Sequence, residues 1–206
     1  MKFLIILFVF LFWTLLTSFA QDTAAPPPAL SKFVKNSQVV ERNGRVVEEK
    51  TGKPLDGTLV YGGEPGEGRT TAEYKNGVRY GTFRSFNLAG IEEYRAEWLA
   101  GKQSGPEILF FASGKNHVRR NYEDGELNGE SIEWYESGEI RITGAFVKSR
   151  KHGIWRCFSR SGEVLEMVRF KNGALQSNII DSDDIEREYK SDEGLRKRMN
   201  PNSPKK

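Results

Sequence analysis

A single cysteine, Cys157, stands in the whole chain, so no intrachain disulfide can form. An excess of one charge is also missing: 31 basic against 28 acidic residues leave a formal charge of +3. That balance lacks the concentrated basic stripe that phosphate-backbone binding needs, and it argues against nucleic acid as a partner. The two histidines, His117 and His152, have no cysteine or carboxylate at metal-ligand spacing, so no metal site is expected. Pairs such as Gly125 and Gly129 lack the following lysine and the strand–loop–helix context of a phosphate loop. No nucleophile, base and orienting group stand together, so neither an enzyme nor a cofactor is expected. Long apolar runs are absent after residue 20, and no later segment is suited to spanning a membrane.

The N-terminus is the exception. Lys2 is followed by Phe3 to Leu16, apolar except for Thr14. Small residues at Ser18 and Ala20 then fit a signal-peptidase site, with cleavage before Gln21. Residues 1–20 thus read as a signal peptide, and the chain as secreted or periplasmic. An uncleaved membrane anchor is the alternative, although the apolar run is at the lower limit for spanning hydrocarbon. Residues 21–36 read as a linker, because Pro26-Pro27-Pro28 favours an extended conformation and cannot join a sheet interior.

Glycine and aromatic residues are abundant, and they are periodic. Gly57, Gly81, Gly105, Gly129 and Gly153 recur every 24 residues. Gly66, Gly90, Gly114, Gly138 and Gly162 keep the same step, as do Gly77, Gly101, Gly125 and Gly173, with Ser149 filling the one gap. One aromatic column holds Phe86, Phe110, Trp134 and Phe158; another holds Tyr74, Trp98, Tyr122, Phe146 and Phe170. Five columns in register are the signature of a repeat array.

Each unit reads as a β-hairpin. A glycine such as Gly129 opens it, and Glu130 to Tyr135 form a first strand. Glu136-Ser137-Gly138 then makes a tight turn, its last residue at positive φ. Glu139 to Phe146 return as a second strand. The connection to the next unit is again bounded by glycines, as in Gly101 to Gly105. Helix fails as an alternative, since three glycines per unit cost about 1 kcal/mol each and leave gaps too short for a stable helix. Alternation puts Ile132 with Trp134, and Ile142 with Phe146, opposite Glu133 and Arg141, so the aromatic columns are expected to cover one face of the sheet and charges the other. The expected fold is all-β: an elongated single-layer antiparallel sheet of tandem 24-residue hairpins, twisted or curled. About ten strands at roughly 4.8 Å give a length of about 45–50 Å. Residues 37–56 read as a degenerate first repeat with a hairpin turn at Asn43-Gly44, and residues 57–176 as the tandem array. Residues 177–206 form a charged tail, in which Asp181 to Asp184 are placed to cap a short helix.

The run Tyr122-Glu-Asp-Gly125-Glu-Leu-Asn-Gly129-Glu-Ser-Ile-Glu-Trp134-Tyr135-Glu-Ser-Gly138 closely resembles the bacterial variant of the MORN repeat. Lys171-Asn172-Gly173 and Tyr74 to Gly81 match the same phrase, and Asn43 to Gly57 looks like the usual start of such arrays. The resemblance covers residues 37 to 175. It implies an elongated sheet of hairpins used as a binding or scaffolding surface, with no catalytic residues. Some bacterial members carry an antitoxin label, which fits poorly with export. The sequence departs from the pattern at Ser149 and between Gly62 and Gly68.

Most chemistry-bearing residues have a plain structural reading. Cys157 and His152 are neighbours in sequence, but Cys157 falls in a column of parity opposite to Phe158, on the face expected to be solvated. Glu130, Glu133 and Glu136 read as solvated strand charges. Column aromatics read as sheet-stabilising pairs. Aromatics outside the columns, namely Phe83, Phe111, Tyr135 and Trp155, are the better binding candidates, because such residues mark interfaces. The function expected is a non-catalytic exported scaffold that binds a protein partner or assembles with itself. The alternative is an envelope protein that binds glycan or lipid headgroups at the membrane surface. The array predicts a far-ultraviolet circular dichroism spectrum dominated by strand and small-angle scattering of an elongated body; a helical spectrum or a compact globule contradicts it.

Overall fold

A computed structural model describes residues 33–179, apart from Pro65. The expected signal peptide and the helix in the tail lie outside those residues. The strands are β1 (Phe33–Lys35), β2 (Val39–Arg42), β3 (Arg45–Glu48), β4 (Gly57–Gly62), β5 (Arg69–Lys75), β6 (Val78–Phe86), β7 (Glu92–Leu99) and β8 (Lys102–Phe110). They continue as β9 (Asn116–Glu123), β10 (Glu126–Leu127), β11 (Gly129–Trp134), β12 (Ile140–Val147), β13 (Arg150–Phe158), β14 (Val164–Lys171) and β15 (Ala174–Ile179). From β4 onward, each strand of the main ladder pairs antiparallel with the next, in one open sheet. The fold is all-β and built of successive hairpins, as the repeat requires.

Two kinds of turn alternate. The first joins β6 to β7, β8 to β9, β11 to β12 and β13 to β14. Its three-residue loop is a type I turn followed by a glycine at positive φ. In one unit Tyr135 N–H donates to Glu139 C=O, Gly138 N–H donates to Tyr135 C=O, and Gly138 has φ +112°. The second turn has two residues, both left-handed: Asn76-Gly77, Ala100-Gly101, Asp124-Gly125, Lys148-Ser149 and Asn172-Gly173. Such a turn matches the right-handed twist of its flanking strands.

The second turn also ties each unit to the one before. Gly77 N–H donates to Leu55 C=O, Gly101 N–H to Arg79 C=O, and Gly125 N–H to Gln103 C=O. Ser149 N–H reaches Leu127 C=O and Gly173 N–H reaches Lys151 C=O in the same way. The donor is backbone, so serine at position 149 keeps the bond. Its Oγ also accepts from Leu127 N–H at 3.0 Å, while its φ of +61° carries the strain of a left-handed side chain.

The glycine that opens each unit does not lie in a connection. Gly81, Gly105 and Gly153 sit inside nine-residue strands, and the segment from Gly101 to Gly105 is turn residue followed by strand. Gly57 and Gly129 instead head β4 and β11. These glycines face the second aromatic column across the ladder: Gly57 pairs with Tyr74, Gly81 with Trp98, Gly105 with Tyr122, Gly129 with Phe146, and Gly153 with Phe170. A Cβ built at Gly81 or Gly105 would meet the Glu73 or Glu97 side chain of the preceding strand, so the glycine leaves room for that neighbour. At the glycine, the ladder to the earlier strand shifts register, as between Ala72 and Tyr74, opposite Gly81. That bulge absorbs residues that sequence spacing assigns to a loop.

Cross-strand pairing fixes the two faces. Face A carries Leu59, Ala72, Tyr74, Phe83, Ala96, Trp98, Tyr122, Phe146, Trp155 and Phe170. Face B carries Arg84 with Arg95, Ile108 with Arg119, Ile132 with Thr143, and Arg156 with Met167. The first aromatic column, Phe86, Phe110, Trp134 and Phe158, lies on face B. The two aromatic columns therefore cover opposite faces rather than one, because each first strand places Trp134 one step out of phase with the residue that pairs with Phe146. Both faces are part apolar.

The N-terminal end is closed by added structure. Phe33–Lys35, placed by sequence in the linker, forms β1, parallel to β4. The expected first repeat does turn at Asn43-Gly44, but β2 and β3 form a separate two-stranded sheet. It docks through Val46 N–H, which donates to Gly77 C=O. A Cβ at Gly77 would fall 2.6 Å from Val46 O, so this turn needs glycine for space as well as for φ. Val34, Leu55, Leu59, Ala72 and Tyr74 form the core beneath this cap. The segment 63–68 gives the first hairpin a longer loop than the others, closed by Gly63 N–H to Gly68 C=O.

Leu55 is 0 % exposed, and it joins the cap to the repeats. Leu55→Ala is expected to cost about 2–5 kcal/mol in urea unfolding. Leu88→Ala, in an exposed turn, is expected to stay within about 0.5 kcal/mol of the native protein.

Candidate binding surface

Face A concentrates rings and charges in a fixed order. At one end Arg79 lies 5.5 Å from the Phe83 ring centroid and 4.8 Å from that of Trp98. Phe83 packs edge-on against Tyr94, with centroids 5.8 Å apart. At the other end Lys151 Nζ lies 4.4 Å from the Trp155 ring and 5.1 Å from Phe170. Phe146, Trp155 and Phe170 form an edge-to-face chain with centroids 5.1 and 6.4 Å apart. Such ring and cation contacts each contribute about 0.5–1.5 kcal/mol beyond burial.

Between these ends the same strand position holds Glu107 and Ser131, both buried. Glu107 accepts from the Tyr94 hydroxyl at 2.9 Å and from Gln103 Nε2 at 3.4 Å, and Arg120 Nη1 lies 3.6 Å from its other oxygen. Burial, then the Glu107 charge and hydrogen bond, holds the Tyr94 hydroxyl far above the usual phenol range. The phenol therefore stays a donor to the carboxylate at neutral pH.

Gly144 explains how Trp155 fits. It belongs to none of the repeat columns, and a Cβ built there would fall 2.2 Å from the Trp155 ring. The indole thus rests on bare backbone. Its N–H and that of Trp98 have no hydrogen-bond partner among the described residues. A hollow of about 440 Å³ opens beside this ring, lined by Ile142, Lys151, Trp155, Cys157, Glu166 and Phe170 among others.

The four off-column aromatics do not converge. Phe83 and Trp155 share a column of face A, three repeats apart. Phe111 and Tyr135 lie on the edge formed by the three-residue turns. Phe111 stacks on His117 with centroids 4.2 Å apart. Tyr135 donates its hydroxyl to Phe158 C=O at 2.7 Å, with Arg160 5.4 Å above its ring. Arg79, Lys151, Glu107 and Gly144 were not singled out from sequence, although the recurrence of a cation and a ring at 79/83 and 151/155 was there to be read.

Cys157 does not lie on a solvated face: it is half-buried and lines the hollow beside Trp155. His152 pairs with Ala145 on face B, whereas Cys157 pairs with Ile142 on face A, so the two point away from each other. Glu133 accepts from Arg141 and lies 3.7 Å from His117 Nε2. Among the described residues, no group of three or more His, Cys, Asp or Glu side chains is placed to hold a metal.

No family model matches the chain, and no curated protein matches it. Among solved structures, the crystal structure of TarM is similar at 13 % identity and a TM-score of 0.36. That match covers 64 % of this chain and 24 % of the TarM chain, so this chain spans about a quarter of that protein's length. A likeness this slight carries no argument about activity.

Gly144→Ala is expected to destabilise the protein by about 1–3 kcal/mol in urea unfolding through contact with the indole. The double variant Gly144→Ala, Trp155→Leu is expected to recover part of that loss relative to the sum of the single changes.

Proposed function

We propose that this chain is an exported, non-catalytic binding module that holds a protein partner against face A. The carrying observation is the aromatic column Trp98, Tyr122, Phe146 and Phe170, which repeats across four units of one sheet with Arg79 and Lys151 at its ends, while Tyr74 of the same column is buried under the N-terminal cap. A repeated face presents an extended partner with the same contact at each unit. Aromatic residues and arginine are also the side chains enriched where proteins bind proteins. The resemblance of residues 37 to 175 to MORN repeats supports a binding or scaffolding role. The apolar N-terminus with Ser18 and Ala20 supports export, to the periplasm or beyond the cell.

Glycan binding is the weaker reading. A sugar stacks on an open ring face, but Arg79 covers Phe83 and Trp98, and Lys151 covers Trp155 and Phe170. The test is cross-linking capture from the cell envelope with the native protein and with Lys151→Glu, an exposed change on face A. The native protein is expected to capture a defined protein, and the variant several-fold less of it at a temperature well below the midpoint of either protein, the lost cation–ring contacts lowering the variant's melting temperature by only a few degrees. Equal capture by both, or co-sedimentation with purified peptidoglycan or flotation with liposomes in place of capture, overturns the reading.

A further inference from the structure

β15 is the last strand of the sheet, and among the described residues nothing pairs with its outer edge. Its sequence, Ala-Leu-Gln-Ser-Asn-Ile, contains no charge and no proline. Only one other strand of the main sheet lacks a charged residue, and that is β4. The outer edge of β4 is taken by β1. β1 in turn is blunted: it has three residues, it carries Lys35 in an ion pair with Glu64, and it runs into a 3₁₀ turn. Natural sheets guard open edges with charges, prolines or short strands. The N-terminal end has such a guard, whereas β15 carries none of these devices except its shortness and shares its lack of charge only with the covered β4.

A second observation points the same way. Leu175 is 56 % exposed, pairs with Phe170 on face A, and forms part of the wall of the Trp155 hollow. An apolar surface therefore runs from Trp155 and Val168 to the open edge. The chain's own continuation is a poor occupant. Residues 180–206 contain fourteen charged side chains among 27 residues and lack the apolar alternation of a strand.

We propose that two copies of this chain pair through β15, edge to edge and antiparallel about a two-fold axis. Such an interface is self-complementary and closes at two copies. Two uncharged strands bring no like charges opposite each other, and each brings its Leu175 to the seam. The pairing uses an edge rather than face A and goes beyond the binding reading above.

Sedimentation velocity of the purified protein over a hundredfold concentration range tests it. The native protein is expected to move from monomer to a species of twice the mass and no further. Gln176→Lys, which puts two like charges at the seam, is expected to weaken dimerisation about tenfold or more at an unchanged melting temperature. In a Cys157→Ser background, Gln176→Cys is expected to give a disulfide-linked dimer under mild oxidation, and Leu88→Cys is not. A monomer at every concentration, or a dimer indifferent to Gln176→Lys, overturns the proposal. Mass that climbs beyond two copies does so too, since it means head-to-tail growth of β15 onto β1. A monomer that still captures a partner through face A leaves the binding reading standing; a β15 dimer that captures nothing removes that reading alone.

Discussion

The structure depends on one cross-strand pair, a glycine facing an aromatic ring, repeated from Gly57 and Tyr74 to Gly153 and Phe170. A single-layer sheet has no second layer to bury its apolar surface, so it must cover backbone with its own side chains. The column rings supply part of that cover. The glycine paired with each ring has positive φ, and in the long strands it lies at the bulge that bends them. The two-residue turns then tie each unit to the last through backbone N–H groups, which makes every unit dependent on its neighbour.

That dependence explains the two ends. The first unit has no predecessor, and the chain supplies a substitute in Leu55, whose carbonyl accepts from Gly77 and whose side chain fills the core below β1 and the β2–β3 hairpin. The other end has no comparable guard among the described residues. β15 ends the described array with neither a charge nor a proline.

Face A shows how a regular scaffold carries irregular content. The strand position that holds Phe83 and Trp155 in the outer units holds Glu107 and Ser131 between them. Each ring needs room: Phe83 sits against Ala72 and Ala96, and Trp155 lies over Gly144. The small residues are therefore part of the same feature as the large ones, and neither is meaningful alone. Glu107 Oε1 accepts from Tyr94 and Gln103 while Arg120 lies 3.6 Å from Oε2, so the centre of the face is polar.

The sequence by itself determined the period, the three-residue turn, the strand content and the antiparallel order. These follow from local chemistry: left-handed φ at glycine and asparagine, and alternation along short strands. Only the tertiary structure decided which face each column occupies, because a one-residue bulge reverses the facing of everything beyond it and leaves no mark in the spacing. It also decided that Phe33 to Lys35 belong to the sheet, since a parallel pairing with β4 across more than twenty residues has no local signal. The separation of Cys157 from His152, the seating of Trp155 on Gly144 and the open edge of β15 have the same origin. Each is a contact between strands, and strand neighbours are set by hydrogen bonding across the sheet rather than by position along the chain.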